Sequence, residues 1–556
     1  PRLARPVTAL AWAVALVVVL AGQWFRAHME HRATGLTFPL HPDDYRKGPA
    51  MLQYAAILGT WVSKNPFEVE RAAFDAGLSG FALRAGIAAV LAAGLVTLGF
   101  YSARVRALLR EYFATPGSAL DLAAFRSVFF VFMAFSVADS TLKSAELPAD
   151  LMVPLRDPLP LWHLLQPSPI LMTVASTLLR VGCLAAVLGV WPRLAALVVG
   201  VCFFYCDGVG QMFGKVNHSH HLVWTCAVLA AAPIGDALSL ERYLARKKGT
   251  LAPGRPADSV AYSRPIRLIW LFVGVVYFYP GFWKTITGGS AWFATDNLQN
   301  RMFQKWSDDP GFVPLLRGDQ FPTLLMLGAF GTLVFELGWI LFILSKRTRW
   351  ISIVMGLGFH NLTRLIMNIP FWPLQMMYAS FIPWQRLVDR FAPNSVAAPA
   401  PPSPGAAERE AQSVRRTTWV GGVVLALAAL YGTAHLDTAW PFACYPPFDA
   451  YLGDRVHDLG AYYVDAAGHE RAVPEEKLVA SLGTARLRTL RRTIVYERNT
   501  ERRQKSLDAF AAGAGPAHDD AVSIRFYDEV RSLVPEVRAK GPLSRKLLYT
   551  APLGHG

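Results

Sequence analysis

Long apolar runs constrain this chain more than any motif does. Eleven stretches approach the ~20 residues that an α-helix needs to cross the hydrocarbon of a bilayer. They lie at about 7–24, 78–100, 120–138, 169–190, 193–207, 219–234, 265–284, 322–344, 350–366, 371–384 and 418–435. Only 17% of the residues are charged and 53% are hydrophobic, which is typical of a bilayer protein. The pattern predicts an all-α polytopic membrane bundle with about eleven transmembrane helices.

The basic residues are concentrated in short connectors beside the apolar runs. They give a net charge of +15 without forming one basic face on a soluble unit, so we expect membrane lipids rather than nucleic acid as their partner. If the N-terminus is inside, every basic connector also falls inside, as the positive-inside rule requires. This orientation places the C-terminal region outside. Residues 1–24 are either the first span or a cleaved signal peptide, and residue 30 is outside in both cases.

Changes in composition divide the chain into five parts. The predicted parts are N-terminal spans with an outer-side insertion (1–118), a transmembrane core (119–390), a Pro/Ala-rich inside linker (391–416), a last span (417–436) and an outer-side domain (437–556). In the outer domain, residues 461–473 alternate as a hairpin around Ala467, and 522–530 alternate as a strand. Residues 475–494 have a helical composition, so we predict a small C-terminal α+β extramembrane domain.

Ionisable side chains inside apolar segments are costly unless they are paired or face a cavity, so each one marks a candidate site. The candidates are Arg126, Asp139, Arg180, Asp207, Lys215, His218, Lys284, Glu336, His360 and Arg364. We interpret Arg126 and Glu336 as structural intramembrane charges. Glu336 needs a cationic partner, and Arg126, Arg180 and Arg364 are the candidates.

The densest polar cluster is DGVGQMFGKVNHSHH at 207–221. One interpretation is a polar pocket in which Lys215, Asn217 and His218 act as donors or bases, and another is an ordinary hydrophilic loop. A third is a metal site, since His218 and His221 are near one helical turn apart. No carboxylate or cysteine stands beside these histidines, so no metal is predicted.

Two further clusters lie later in the chain. Lys284 follows Pro280, which kinks or ends its span, and it either contributes to a pocket or extends to the membrane interface. His360 and Arg364 share one helical face by their spacing, with Asn361 beside them. These three residues either belong to the same pocket or form hydrogen bonds between helices.

Four of these segments resemble, in order, the transmembrane core of vitamin K-dependent gamma-carboxylase and its bacterial relatives, the horizontally transferred transmembrane (HTTM) family. They are LAAFR at 122–126, NHS at 217–219, VYF at 276–278 with Gly281, Lys284 and Trp292, and FH at 359–360 followed by IPFW at 369–372. The resemblance covers roughly residues 120–390. It implies a membrane fold with its polar site at the outer side.

The resemblance also implies a reaction. The family's best-known member oxygenates reduced vitamin K, and the strong base that results removes a γ-proton from a peptide glutamate, which then adds carbon dioxide. A lysine near the Asn-His-Ser element deprotonates the hydroquinone. This chemistry implies reduced vitamin K or another quinol as cofactor, and a peptide or protein substrate on the outer side. It implies Lys215 and His218 as catalytic residues. The residues that it implies as contacts of the substrate or the quinone are Asn217, His221, Lys284, His360, Asn361 and Arg364.

The chain departs from the family's pattern at two positions. A gapless alignment puts Met212 in the slot of the base lysine, and Lys215 replaces it if the loop is shorter by about three residues. Arg364 stands where the animal enzyme has a small hydroxyl residue, and the large propeptide-binding domain of that enzyme is absent. We therefore weigh a quinol-dependent gamma-glutamyl carboxylase-like lyase against a non-catalytic protein of the same fold that binds a quinone or lipid or assists an outer-side partner.

A transporter is a third possibility, because spans are broken near Pro280 and Pro370, but no inverted repeat is visible. The Ala-, Arg- and Gly-rich composition indicates a bacterial inner membrane, with the C-terminal domain on the periplasmic side.

Overall fold

A computed structural model shows how these segments fold. It describes the chain except for residues 1–3, 39, 41–50, 53–54, 56–70, 154–164, 217, 252–253, 289–291, 294, 310, 393–404, 437–438, 444–447, 449–451, 498, 515–520 and 554–556. Most of the predicted outer-side insertion, the centre of the predicted linker and the Asn217 position therefore lie outside the described residues.

Sixteen helices precede the C-terminal sheet in the described residues. They are α1 (Ala4–Arg32), α2 (Arg71–Tyr101), α3 (Ala103–Ala114), α4 (Ala119–Ala134), α5 (Asp139–Lys143), α6 (Pro169–Leu188), α7 (Pro192–Gln211), α8 (His220–Ala231), α9 (Leu240–Lys247), α10 (Val260–Trp283), α11 (Thr295–Asp308), α12 (Pro322–Leu344), α13 (Arg349–Met367), α14 (Trp372–Met377), α15 (Trp384–Phe391) and α16 (Ala406–Thr433).

Six of these helices are long and apolar enough to cross a membrane: α1, α2, α6, α7, α10 and α12. The bent pair formed by α4 and the segment from Asp139 to Glu146, which meet at 54°, raises the number to seven if it counts as one span. The predicted number of about eleven spans is thus not confirmed among the described residues. Two of the predicted spans fold as short helices: α8 has 12 residues and α14 has 6.

The predicted last span is longer than its apolar run. The helix α16 begins at Ala406, so the charged stretch before residue 417 continues the helix instead of belonging to a linker. Its sequence, AAEREAQ, consists of strong helix formers, which explains the extension. The helix packs its small residues against α10, where Tyr279 donates a hydrogen bond to the carbonyl oxygen of Ala429 at 2.8 Å.

The contact between α10 and α16 requires a glycine. A Cβ atom on Gly432 would lie 2.3 Å from the ring of Tyr279. We expect Gly432→Ala to lower the stability of the protein by about 1–3 kcal/mol, because the ring cannot move away without disturbing a packed interface. The measurement is thermal unfolding in detergent. Gly422 is the matched control, since it is on the same helix and has nothing within 4 Å of the position of a Cβ atom; an equal loss in Gly422→Ala would contradict the packing argument.

The C-terminal domain is a four-stranded antiparallel sheet with helices packed on it. The strands are β1 (Arg455–Asp465), β2 (Glu470–Ala472), β3 (Ala521–Ser532) and β4 (Ser544–Pro552), in the order β2-β1-β3-β4. The helices are α17 (Glu476–Leu482), α18 (Thr484–Tyr496), α19 (Thr500–Ala514) and α20 (Pro535–Arg538). The predicted hairpin is confirmed by the pairing of Tyr462 with Ala472. The predicted helix is broken in two by Gly483, whose φ of 73° is in the left-handed region.

A buried ion pair joins this domain to the helical bundle. Arg486 of α18 donates from Nη2 to Oδ1 of Asp207, near the end of α7, at 2.9 Å, and both side chains are nearly buried. Arg486 also donates to the carbonyl oxygen of Gly214 at 3.2 Å. The polar segment that follows α7 is therefore covered by the C-terminal domain.

Candidate functional site

A cavity opens among the helices α10, α11, α12 and α13, and its wall is mainly apolar. The apolar lining consists of Val276, Pro280, Trp292, Leu298, Phe359, Met367, Ile369, Phe371, Leu374 and Phe448. The polar lining consists of Tyr277, Lys284, Asn297, Arg301, Thr332, Glu336, His360 and Thr363. An apolar wall with a few converging polar groups is the usual character of a small-molecule site.

A buried ion pair lies on this wall. Nζ of Lys284 is 2.5 Å from Oε1 of Glu336, and the two side chains are 3% and 4% exposed. Gly281 makes the contact possible, because a Cβ atom at that position would lie 2.8 Å from Cβ of Glu336. None of the predicted arginines is therefore the partner of Glu336. The alternative in which Lys284 extends to the interface is also wrong, since its side chain is held inside the bundle.

Two other residues of this wall, Tyr277 and His360, take part in a chain of hydrogen bonds. The hydroxyl of Tyr277 is 2.5 Å from Nε2 of His360 and 3.1 Å from the hydroxyl of Tyr378. Nδ1 of His360 and Oε2 of Glu336 are buried atoms of cavity residues that have no hydrogen-bond partner among the described residues. An unpaired buried polar atom is costly, so these two atoms mark where a polar ligand would be favourable.

The Lys215 segment lies behind this cavity and does not line it. Nζ of Lys215 is 2.7 Å from Nε2 of His220 and donates to the carbonyl oxygen of Ala439 at 2.8 Å. It also lies 5.3 Å from the centre of the Trp440 ring. Lys215 is partly buried, so it neither faces bulk solvent nor touches the cavity.

A single aromatic ring stands between the two regions. The ring of Phe371 is 4.9 Å from that of His218 on one side and 5.3 Å from that of His360 on the other. The backbone of Phe371 has a φ of 45°, a conformation that residues other than glycine rarely adopt. His221 points elsewhere, with Nε2 3.1 Å from the carbonyl oxygen of Pro373.

The other predicted site residues lie away from the cavity. Asn361 and Arg364 are exposed on α13; Asn361 donates to the carbonyl oxygen of Leu357, and the guanidinium of Arg364 lies 4.9 Å from the Trp372 ring centre. Although His360 and Arg364 are one turn apart, only His360 faces inward.

Arg126 is fully buried and binds backbone carbonyls just beyond α8. It donates to the carbonyl oxygens of Ile234 and Leu238 at 2.6 Å each. A third contact, to the carbonyl oxygen of Val187 at 3.2 Å, satisfies the last turn of α6, so the guanidinium holds two connecting segments together, which suits a structural charge.

Sequence reasoning missed Tyr277 and Tyr378 as site residues. Tyr277 lies seven residues before Lys284, which places both on one face of α10, and this spacing could have indicated it. Nothing in the sequence could have indicated that Ala439 and Trp440 cover Lys215, because their contact spans more than two hundred residues. No three His, Cys, Asp or Glu side chains in the described parts are placed to hold a metal ion.

A comparison with known protein families finds a match for the part of the chain that contains this cavity. No curated protein and no solved structure matches the chain. The apolar helices and the domain match together indicate a membrane protein. Residues 115–385, which include α10 to α14 and nearly all of the cavity wall, match the family model of the HTTM domain, a domain that occurs in vitamin K-dependent carboxylase-like proteins.

Proposed function

We propose that this protein is a membrane enzyme that binds reduced vitamin K or another quinol in the cavity between α10 and α13, and carboxylates a glutamate of a peptide or protein on the outer side. The observation that carries the proposal is the apolar cavity lined by His360 and Glu336, each of which has a buried polar atom without a hydrogen-bond partner among the described residues. In this proposal the protein resides in a bacterial inner membrane and its C-terminal domain is periplasmic.

The residues of the cavity fit a quinol. A flat ring would pack against Phe359, Phe371 and Leu374, while its hydroxyl groups would meet polar residues of the same lining. Nδ1 of His360 suits one hydroxyl, and Oε2 of Glu336 suits the other. When bound, a quinol supplies a strong base through its reaction with dioxygen. The apolar wall excludes water, which would otherwise quench such a base.

Lys215 is the proposed proton acceptor for the quinol. A neutral amine at Nζ would be the final acceptor of the proton that leaves the quinol hydroxyl, forming an N–H bond after the O–H bond breaks. His218 and His360 both contact the Phe371 ring, which carries no exchangeable proton, so in this proposal the proton passes from the cavity to Lys215 through a water or after Phe371 moves aside. His220 and the carbonyl oxygen of Ala439 hold the ammonium form that results.

A specific observation favours the alternative, a non-catalytic membrane protein of the same fold. Lys215 does not line the cavity, and its amine is already engaged by His220 and the carbonyl oxygen of Ala439. In this alternative the cavity binds a quinone or lipid without turnover, or the protein assists an outer-side partner.

Quinol binding tests the cavity on which both proposals rest. We expect His360→Phe to weaken the binding of vitamin K hydroquinone about tenfold, because the ring remains while one hydrogen bond is lost. The measurement is quenching of tryptophan fluorescence on titration of the purified protein in detergent under anaerobic conditions. The control is His31→Phe, the same substitution at an exposed histidine of α1.

The same protein is then supplied with labelled carbon dioxide and a glutamate-containing peptide. Binding with incorporation supports the enzyme, and binding without incorporation supports the non-catalytic alternative. Unchanged affinity in His360→Phe would show that the quinol, if it binds, occupies another site.

A further inference from the structure

A second cavity, of about 520 Å³, lies between α11 and the sheet of the C-terminal domain. Phe303 and Trp306 of α11 form one side of it, and Ala461 and Val473 lie on the sheet side. Four arginines line it: Arg488, Arg491, Arg531 and Arg538. It is separate from the candidate quinol site, although α11 contributes residues to both.

The positive charge of this cavity exceeds the negative charge. The lining contains only two carboxylates, Asp458 and Glu475, so two positive charges remain among the lining residues. Both carboxylates are engaged chiefly by Arg491, which pairs with Asp458 at 3.2 Å and also contacts Glu475. Arg488 is left at 3.7 and 3.8 Å from the same two groups, beyond hydrogen-bond distance.

A third carboxylate behind the wall does not remove this excess. Glu529, which is fully buried, pairs with Arg531 at 2.5 Å. The same carboxylate also binds Arg545 at 2.9 Å. Counting Glu529 therefore adds one negative charge, and counting its second partner, Arg545, adds one positive charge, so the excess stays the same. The net field in the cavity therefore remains positive.

Arg538 is the least compensated of the four arginines. Its one hydrogen bond among the described residues runs from Nη2 to the carbonyl oxygen of Ser307 at 3.4 Å, and Nη1 is buried without a partner. Burial lowers the pKa of its guanidinium to about 10, which leaves it charged at neutral pH. Nε of Arg488 and Nε of Arg491 are also buried without partners. A group that accepts several hydrogen bonds and carries negative charge would satisfy this set.

We infer that the cavity between α11 and the sheet binds a phosphate group, either from a soluble phosphate compound or from a lipid headgroup. A phosphate monoester carries roughly −1.5 to −2 charges at neutral pH, which matches the excess of two positive charges better than a single carboxylate does. Its tetrahedral oxygens can accept from several guanidinium groups at once, and arginine is the side chain best suited to such contacts. This site does not depend on the proposed function.

The test uses the full chain purified in detergent and isothermal titration calorimetry. The probes are inorganic phosphate, dihexanoyl phosphatidic acid, which carries the same group on a short-chain lipid, and polyglutamate, which offers carboxylates instead of phosphate. We expect Arg538→Gln to weaken the binding of the effective probe about tenfold, the contribution of one charge-assisted hydrogen bond. Within the described parts of the chain no carboxylate forms an ion pair with Arg538, so this variant leaves none of those acids unpaired. Arg538→Lys keeps the charge without the forked donors, and it should bind more weakly than wild type even if the glutamine variant fails to fold.

The matched control is Arg455→Gln. It removes the same charge from β1 at a side chain that is 69% exposed and does not line the cavity. Binding of inorganic phosphate that depends on Arg538 identifies a soluble ligand, and binding of phosphatidic acid alone identifies a lipid headgroup; both support the inference. Equal losses in the Arg538 and Arg455 variants, no binding of either phosphate probe to the wild type, or Arg538-dependent binding of polyglutamate only would overturn it.

Discussion

The Lys284→Met variant should be less stable than the wild type by about 3–5 kcal/mol. Methionine keeps the length of the side chain but removes the partner of Glu336, whose carboxylate is 2.5 Å from Nζ of Lys284 and almost fully buried. A buried carboxylate without a partner cannot recover its lost hydration. Its second oxygen, Oε2, already lacks a partner among the described residues, so no nearby donor replaces the lysine. Equilibrium unfolding in mixed detergent micelles measures the loss.

The double variant Lys284→Met/Glu336→Leu is the matched control for this pair. It removes both charges and fills the space with apolar atoms, so we expect it to recover most of the stability that the single variant loses. The coupling free energy between Lys284 and Glu336, obtained from the double-mutant cycle, should be about as large as the stability that the second substitution restores. If the double variant were as unstable as Lys284→Met alone, the loss would come from packing around α10 and not from the unpaired carboxylate.

Hydropathy located the long helices well but overcounted the spans. The predicted segment at 169–190 folds as α6, with a capping serine at Ser168 and a left-handed glycine at Gly189. The predicted segment at 371–384 is also rich in apolar side chains, but Pro383 and the turn after Met377 break it into short pieces. Burial inside protein and burial in lipid favour the same side chains, so composition alone cannot separate a short core helix from a span.

The site could be predicted only in part, for a similar reason. The cost of burying charge correctly marked Lys284, Glu336 and His360 as residues that need a specific environment. The pairing of Lys284 with Glu336 joins the end of α10 to the middle of α12, and no periodicity connects the two helices. Helical spacing also grouped Arg364 with His360, but a face defined by one turn is too broad to decide whether a side chain points to a cavity or outward.

Under the proposed function, Lys215→Ala should reduce the incorporation of labelled carbon dioxide into a glutamate-containing peptide by about 10²–10⁴-fold, the usual contribution of a positioned base. Vitamin K hydroquinone should still bind, because Lys215 does not line the cavity. Loss of incorporation with unchanged binding is therefore the specific sign of a base, whereas a cavity residue would change both. The control Lys143→Ala removes an exposed lysine of α5 and should leave incorporation unchanged.

A second substitution separates a base from a structural cation. Lys215→Arg keeps a positive charge that can interact with His220 and the carbonyl oxygen of Ala439. A guanidinium cannot accept a proton at neutral pH, since it is already protonated. If Lys215 acts as the base, the arginine variant should be as inactive as the alanine variant while remaining folded. If Lys215 only anchors the segment after α7 to Ala439, arginine should restore incorporation, and the proton acceptor would have to be sought among Tyr277, Lys284 and His360, which line the cavity directly.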